Sequence, residues 1–408
     1  MPQSGCRREP ECDMNATSAP GEEGASGRKP DVKKLRVGMV GGGGPGSFFG
    51  KVHLRAISLD GTREVVAGAL RSDPAQSLAA AADWGIRGFP DYQAMVDAWQ
   101  AGDLELDYVT VATPNNAHFG PARSCLAAGL PVLCEKPMTF TVEESEELVR
   151  LNRKKKVPFV LAHTYTGHPM MMLAREMVKQ GEIGEIRKIE SWYSQGWLAT
   201  ALEQSGQQQA AWRTDPKRTG ISNCGGDIGT HAFVAATWVS GLSVKRVSAR
   251  LNTFVAGRAL DDDFNVLAEM DNGATALIIA TQIAIGHKND HGFRVFGTKG
   301  SLEFHQERAE KLLVRRGQHD ETYWIGGGFG CFPASVASYL RAPSGHHEDF
   351  FEALANLHCT LERSIRRQRG EDAPPPYDHP GMATGLAGMK FVRAAVQSSK
   401  AKGAWTKV

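Results

Sequence analysis

The sequence predicts an α/β domain with a parallel sheet, followed by an α+β domain built on a large, mainly antiparallel open sheet. Three observations carry this. The chain has 408 residues, too many for one hydrophobic core and suited to two domains. From Leu35 to Leu161 short apolar runs alternate with helical segments, the rhythm of βαβ units. Beyond about residue 165 that rhythm gives way to long β-like runs, with a hairpin-type turn at Asp271-Asn272-Gly273. The expected division is a disordered tail over 1–33, a first domain over 34–164 and a second over 165–408. The C-terminal helices are free to pack back on the first domain.

In order, Leu35–Val40 is a strand that ends in a glycine cluster, and Glu64–Leu70 is a second strand. The alanine-rich Ala75–Trp84 is a helix. Tyr108–Ala112 is a third strand, stopped by Thr113-Pro114-Asn115, and His118–Ala128 is a helix closed by Gly129. Pro131–Cys134 is a fourth strand, Val142–Lys155 a charged helix that Thr141 can cap, and Val157–Leu161 a fifth strand. In the second half, Pro169–Gln180 reads as a helix. The large sheet is expected from Ile186–Tyr193, Val244–Phe254, Phe264–Met270, Ala274–Ile283, Phe293–Phe296 and Ser301–Phe304. Helices near His347–Arg367 and Gly381–Ser399 follow, split by the turn-forming Asp372-Ala-Pro-Pro-Pro.

Composition narrows the function classes. Hydrophobic residues make up 41% and charged residues 23%, ordinary for a globular protein. A net charge of +2 gives no basic footprint for nucleic acid. No apolar run approaches the roughly 20 residues that span a bilayer. Seven scattered cysteines with no C-x-x-C pair argue against a disulfide framework or a zinc site and suit a reduced cytoplasm. Arg7-Arg8 is followed by polar residues with no apolar segment, so an export signal is not expected. Met14 is a second candidate start.

Gly41, Gly43 and Gly46 satisfy G-x-G-x-x-G directly after the first strand. Glycine is required there so that a dinucleotide pyrophosphate can approach the backbone at a helix N-terminus. Gly50 is an alternative third glycine, with the loop enlarged. This points to a Rossmann-type domain that binds NAD or NADP. The second strand should end in an acid for NAD, yet Leu70 stands there. Arg71 and Ser72 could hold a 2′-phosphate, so NADP should be at least tolerated; alternatively Arg71 is solvated and Asp73 starts a turn.

With these residues in view, the chain from about Leu35 onward resembles the glucose–fructose oxidoreductase / inositol dehydrogenase / rhizopine-catabolism oxidoreductase family. The resemblance rests on Glu135-Lys136-Pro137, on Thr113-Pro114-Asn115-x-x-His118, and on Gly225-Gly226-Asp227-Ile228-Gly229-Thr230-His231. It implies that Lys136 lies near the nicotinamide and the reacting hydroxyl, and that Thr113, Pro114, Asn115, His118 and Glu135 line the cofactor. It also implies that Asp227 orients substrate and His231 is the catalytic base. Asp227 and His231, at i and i+4, would share one helix face; a surface ion pair or metal ligands are the competing readings, and no metal is expected. Tyr165, Trp212 and Arg213 are candidate substrate contacts, with core packing the alternative for Trp212. Asp261-Asp262-Asp263 is expected to be a solvated turn, and His346-His347-Glu348 either lines the cleft or begins a helix.

The implied activity is hydride transfer between nicotinamide and a secondary hydroxyl of a sugar, glycoside or inositol-like polyol. A redox-assisted glycosidase and a non-catalytic cofactor-sensing regulator are the alternatives. The presence of both Lys136 and His231 argues against the regulator. Relatives pair through the large sheet, which implies a homodimer or homotetramer.

Overall fold

The structure is a computed structural model, and it describes residues 33–44, 47–325, 332–343 and 345–408. Nearly all of the expected N-terminal tail, and Gly46 of the glycine motif, lie outside these residues.

The first sheet comprises β1 (Leu35–Gly41), β2 (Arg63–Ala69), β3 (Arg87–Gly88), β4 (Tyr108–Ala112), β5 (Val132–Glu135) and β6 (Phe159–Ala162). Its order is β3-β2-β1-β4-β5-β6 with every pair parallel. Because the order reverses next to β1, a crevice opens at the carboxyl ends of β1 and β4, where such sheets bind ligands. The crossover helices are α1 (Phe48–Ser58), α2 (Pro74–Asp83), α3 (Tyr92–Gln100), α4 (Phe119–Ala128) and α5 (Val142–Lys155). β3 and α3 were not expected. A two-residue strand is too short to show a period, and in α3 only Met95 and Val96 are buried. Starts and stops follow local chemistry. Asp73 caps α2 at Gln76 N, Thr141 and Glu144 form a capping box on α5, and Gly129 ends α4 at φ 93°.

After α6 (Pro169–Lys179) comes a nine-stranded sheet: β7 (Ile186–Ser194), β8 (Val244–Asn252), β9 (Asp263–Met270), β10 (Thr275–Thr281), β11 (Asp290–Gly297), β12 (Ser301–His305), β13 (Lys311–Arg315), β14 (Asp320–Trp324) and β15 (Thr406–Lys407). Its order is β14-β13-β12-β11-β7-β10-β9-β8-β15; only β7 and β10 pair in parallel. The sheet is therefore mixed but mainly antiparallel. β13, β14 and β15 extend it beyond the expected runs. The remaining helices are α7 (Gln208–Arg213), α8 (Pro216–Thr219), α9 (Thr230–Ser240), α10 (Ala334–Ala337), α11 (Phe350–Gln368) and α12 (Met382–Lys400).

β10 alternates strictly between exposed and buried residues. Its inward side joins a core with α6, α9 and α12, while Leu277, Ile279 and Leu267 of β9 remain exposed on the other face. α11 and α12 reach the N-terminal domain. Leu354, Leu357, Leu361 and Ile365 of α11 pack with Leu35 and Val37 of β1. Glu362 accepts from the buried Arg63 at 2.6 Å, and Arg393 of α12 meets Glu143 of α5 at 3.0 Å. These contacts bring the two domains together, and Lys136 at the end of β5 meets Asp227 ahead of α9 between them. No helix among the described residues is long and apolar enough to cross a membrane.

Candidate active site

The glycine loop is a backbone cradle. Gly41 and Gly42 hold φ of 82° and 85°, conformations an L side chain rarely adopts. A Cβ on Gly42 would stand 2.7 Å from Gly50 Cα, and one on Gly43 would stand 2.5 Å from Leu70 Cβ. Gly50 is therefore the close-packing glycine of the motif, one turn later than the simple pattern places it. Ser47 caps α1 by accepting from Gly50 N at 3.4 Å. Beside this loop, Thr113 Oγ1 is buried without a hydrogen-bond partner among the described residues. A cradle that a Cβ on Gly41, Gly42, Gly43 or Gly50 would crowd, and an orphaned hydroxyl beside it, fit a dinucleotide.

The end of β2 shows why the acid is missing. Leu70 is fully buried beneath Gly43, and its carbonyl accepts from Gly43 N at 3.2 Å. Arg71 is half-buried, Ser72 is exposed, and Asp73 serves the α2 cap. The next wall is the Thr113–His118 loop. Asn115 is buried, and the His118 ring stands between the carbonyls of Thr113 (2.8 Å) and Pro137 (2.7 Å). Burial lowers the His118 pKa, so the ring is neutral and donates to one carbonyl at a time. Through it the Thr113–Asn115 loop is tied to the lysine turn.

Lys136 leaves the end of β5 and crosses to the C-terminal domain. Its Nζ donates to Asp227 Oδ1 at 2.7 Å and to the Asp227 carbonyl at 2.8 Å. Asp227 Oδ2 accepts from Arg213 Nε at 3.0 Å and from Gln282 Nε2 at 3.1 Å. Burial alone would raise the Asp227 pKa, but the charges of Lys136 and Arg213 prevail and hold the carboxyl well below the usual range. Arg213 is thus turned to the carboxylate, and its guanidinium lies 4.2 Å from the centre of the half-buried Trp212 ring. Asp227 belongs to a π-helical turn, Gly225–Gly229, that leads into α9. This wider turn, rather than a regular α-helix, separates Asp227 from His231.

The His231 ring makes no hydrogen bond among the described residues. Its ring is boxed edge-on by His163 (centroids 5.2 Å apart), Tyr165 (4.9 Å) and Tyr193 (5.8 Å). Burial, then the charge of Lys136, pushes its pKa well below the ordinary imidazole value. The ring is therefore neutral and able to accept a proton. Tyr165 does not present a free hydroxyl, because its OH pairs with Tyr193 OH at 2.6 Å.

Several site residues were not legible beforehand. Gln282 at the end of β10 is fully buried and bridges Asp227 to Asn223 Nδ2 (2.8 Å). No motif marks it. Asp261 and Asp262, read as a solvated turn, are buried instead. Asp261 accepts from Asn223 N, Gly225 N and Ser222 Oγ, each at 3.0 Å, and so clamps the approach to the π-turn; burial raises its pKa to about 6. Asp262 accepts from Phe254 N and Val255 N. Three adjacent acids look solvated by composition, and only the neighbouring amides reveal their use. Glu348 accepts from the backbone of Arg341 and Ala342 just ahead of the α11 cap at Asp349, whose capping box with Glu352 starts the helix.

Comparisons with known proteins identify the family of the fold. Residues 35–163 match the oxidoreductase family model with the NAD-binding Rossmann fold, and residues 171–303 match the GFO/IDH/MocA C-terminal domain. The chain is 35% identical to an oxidoreductase of Sinorhizobium meliloti, with a TM-score of 0.81, covering 92% of this chain and 100% of that one. The chain belongs to the GFO/IDH/MocA oxidoreductase family. An inositol dehydrogenase homolog from Azotobacter vinelandii, solved with NAD+, is 31% identical with a TM-score of 0.84, covering 92% of this chain and 98% of that one. Levoglucosan dehydrogenase from Pseudarthrobacter phenanthrenivorans is 28% identical over 79% of this chain and 90% of its own length. The N-terminal domain of this oxidoreductase is accordingly an NAD-binding Rossmann domain.

Proposed function

We propose that this oxidoreductase acts on a secondary hydroxyl of a sugar, glycoside or inositol-like polyol. The carrying observation is the neutral, hydrogen-bond-free His231 beside the Lys136–Asp227–Arg213 cluster, at the carboxyl end of the sheet that bears the glycine cradle. The inositol and levoglucosan dehydrogenase relatives support the substrate class.

A bound nicotinamide supplies the hydride acceptor or donor. The chain supplies the rest. His231 takes the hydroxyl proton, and Lys136 donates a hydrogen bond to the substrate oxygen as charge develops there. Asp227, anchored by Arg213 and Gln282, sets where the lysine stands. The contacts between domains shield the cleft from water. Tyr165 and Trp212 line it as ring surfaces. Gly41, Gly43 and Gly50, with Thr113, Pro114, Asn115, His118 and Glu135, form the cofactor side, and Arg71 and Ser72 make NADP at least tolerated.

The domains divide near residues 164 and 165, and the exposed face bearing Leu267, Leu277 and Ile279 pairs copies into a dimer or tetramer. Sedimentation showing only monomer at micromolar concentration would remove that last point. For the activity, initial rates are measured at the reduced-nicotinamide absorbance with NAD or NADP against myo-inositol, levoglucosan and free sugars. Reduced cofactor should accumulate in proportion to polyol consumed. Glycoside cleavage without net reduced cofactor would sink the dehydrogenase reading in favour of a redox-assisted glycosidase.

A further inference from the structure

A polar chain that ends on Glu135 runs through the interior behind the lysine turn. His53 Nε2 meets Glu135 Oε1 at 2.9 Å, and the other Glu135 oxygen accepts from Lys136 N at 3.1 Å. His53 Nδ1 meets His358 Nε2 at 3.1 Å, and His358 Nδ1 meets Tyr108 OH at 2.9 Å. His53, His358 and Tyr108 are completely buried. The four side chains come from α1, β5, α11 and β4, and every link joins groups that are costly to bury alone.

A contact of this length between His53 Nε2 and Glu135 Oε1 holds one proton between them. One proton likewise lies between the two imidazoles. His358 is held neutral by burial, by His53 and by the Arg63 charge. Around Glu135 stand His53, the Lys136 amide and, at longer range, His118 and Tyr165. A fully satisfied buried network of this kind fixes one arrangement of the elements that carry it. The elements fixed here are the helix that opens from the glycine loop and the turn that carries Lys136.

We propose that His53 and His358 are positioning residues that act through Glu135. They lock α1 to the Lys136 turn, so that the grip on the cofactor and the place of the reactive amine are set together. The role of the amine rests on the proposed function; the grip on the cofactor does not.

The test uses the full chain. NADH affinity is read from the fluorescence of bound nicotinamide, kcat and KM from turnover of a polyol, and thermal melts check folding. His53→Leu should raise the NADH Kd at least fivefold and lower kcat at least tenfold, with the polyol KM within threefold of wild type. His53→Gln places an amide donor where ring Nε2 stands and should recover both within threefold. His358→Leu should move both in the same direction by two- to fivefold. It replaces the His53 comparison, together with His358→Gln, if His53→Leu does not fold. Equal impairment in the Gln and Leu variants, or wild-type NADH affinity and kcat in the Leu variant, overturns the proposal. A wild type that binds NADH and turns over no polyol overturns the proposed substrate class instead, and the NADH measurements then decide this point alone.

Discussion

The glycine loop belongs to the first domain, the Asp227 cluster joins the first domain to the second, and the two are built by opposite means. The loop is backbone: its function is room, supplied by glycines within one ten-residue stretch, Gly41 to Gly50. The cluster is side chain: Lys136, Arg213, Asp227 and Gln282 come from four separated segments and hold one another by charge and hydrogen bonds. A site made of absence is disturbed by adding atoms, and a site made of partners by removing them. The two should therefore fail differently, one in cofactor affinity and the other in chemistry.

The largest effects should fall on the partner-built side. His231→Ala removes the proton acceptor and should slow single-turnover hydride transfer by about 10²–10⁴-fold. Lys136→Met removes the donor to the developing charge. If the two act as a unit, the double variant should be little worse than the worse single one. Cofactor titration should change only modestly in all three. Near-wild-type turnover in either single variant would break the comparison.

Acid should also act on this side. Burial lowers the pKa of His163 to about 3, of His168 to about 3 and of His291 to about 4, and that of His231 well below its usual value. These rings are neutral when folded and take up protons when unfolded below about pH 6.5. The unfolded state then binds more protons, so stability should fall as pH drops from about 6.5 towards 4 and be flat in this respect above 6.5. Each ring contributes up to about 1.4 kcal/mol per pH unit. Denaturant midpoints at pH 7.5, 6 and 5 check this; a midpoint unchanged between pH 7.5 and 5 would show that the rings are charged when folded.

On the backbone-built side, Gly42→Ala forces a side chain into φ 85° and against Gly50. A cost of about 2 kcal/mol corresponds to roughly thirtyfold weaker NADH binding. If kcat at saturating cofactor falls instead, the two sides are not separable. The smallest effect is expected from Arg71→Ala. It should weaken NADP by about tenfold and NAD less, as for the loss of one charge-assisted contact. Equal changes for both cofactors would show that Arg71 does not read the 2′-phosphate.

The difference between the two sides also explains what could be read beforehand. The strand, glycine run and helix of the cradle are contiguous, so the pattern carried their chemistry. Even so, the local pattern left open which glycine packs closely, because Gly50 is defined by its approach to Gly42. The E-K-P turn and the Asp227–His231 pair stood out as motifs, and the resemblance implied that they share one site; the direct ion pair between Lys136 and Asp227 was not legible. The misread acids near Asp261 and the unmarked Gln282 share one cause: burial and partner identity are properties of the assembled chain.

The sequence alone determined the α/β then α+β order, the place of the cradle and the residue types that can do the chemistry, because periodicity, caps and close turns are local. Tertiary structure decided that Arg213 and Gln282 serve Asp227, that aromatic rings box His231, and that His358 reaches His53 from 305 residues away. Those facts depend on which surfaces meet when two domains close over a cleft, and no local pattern of spacing or polarity encodes that meeting.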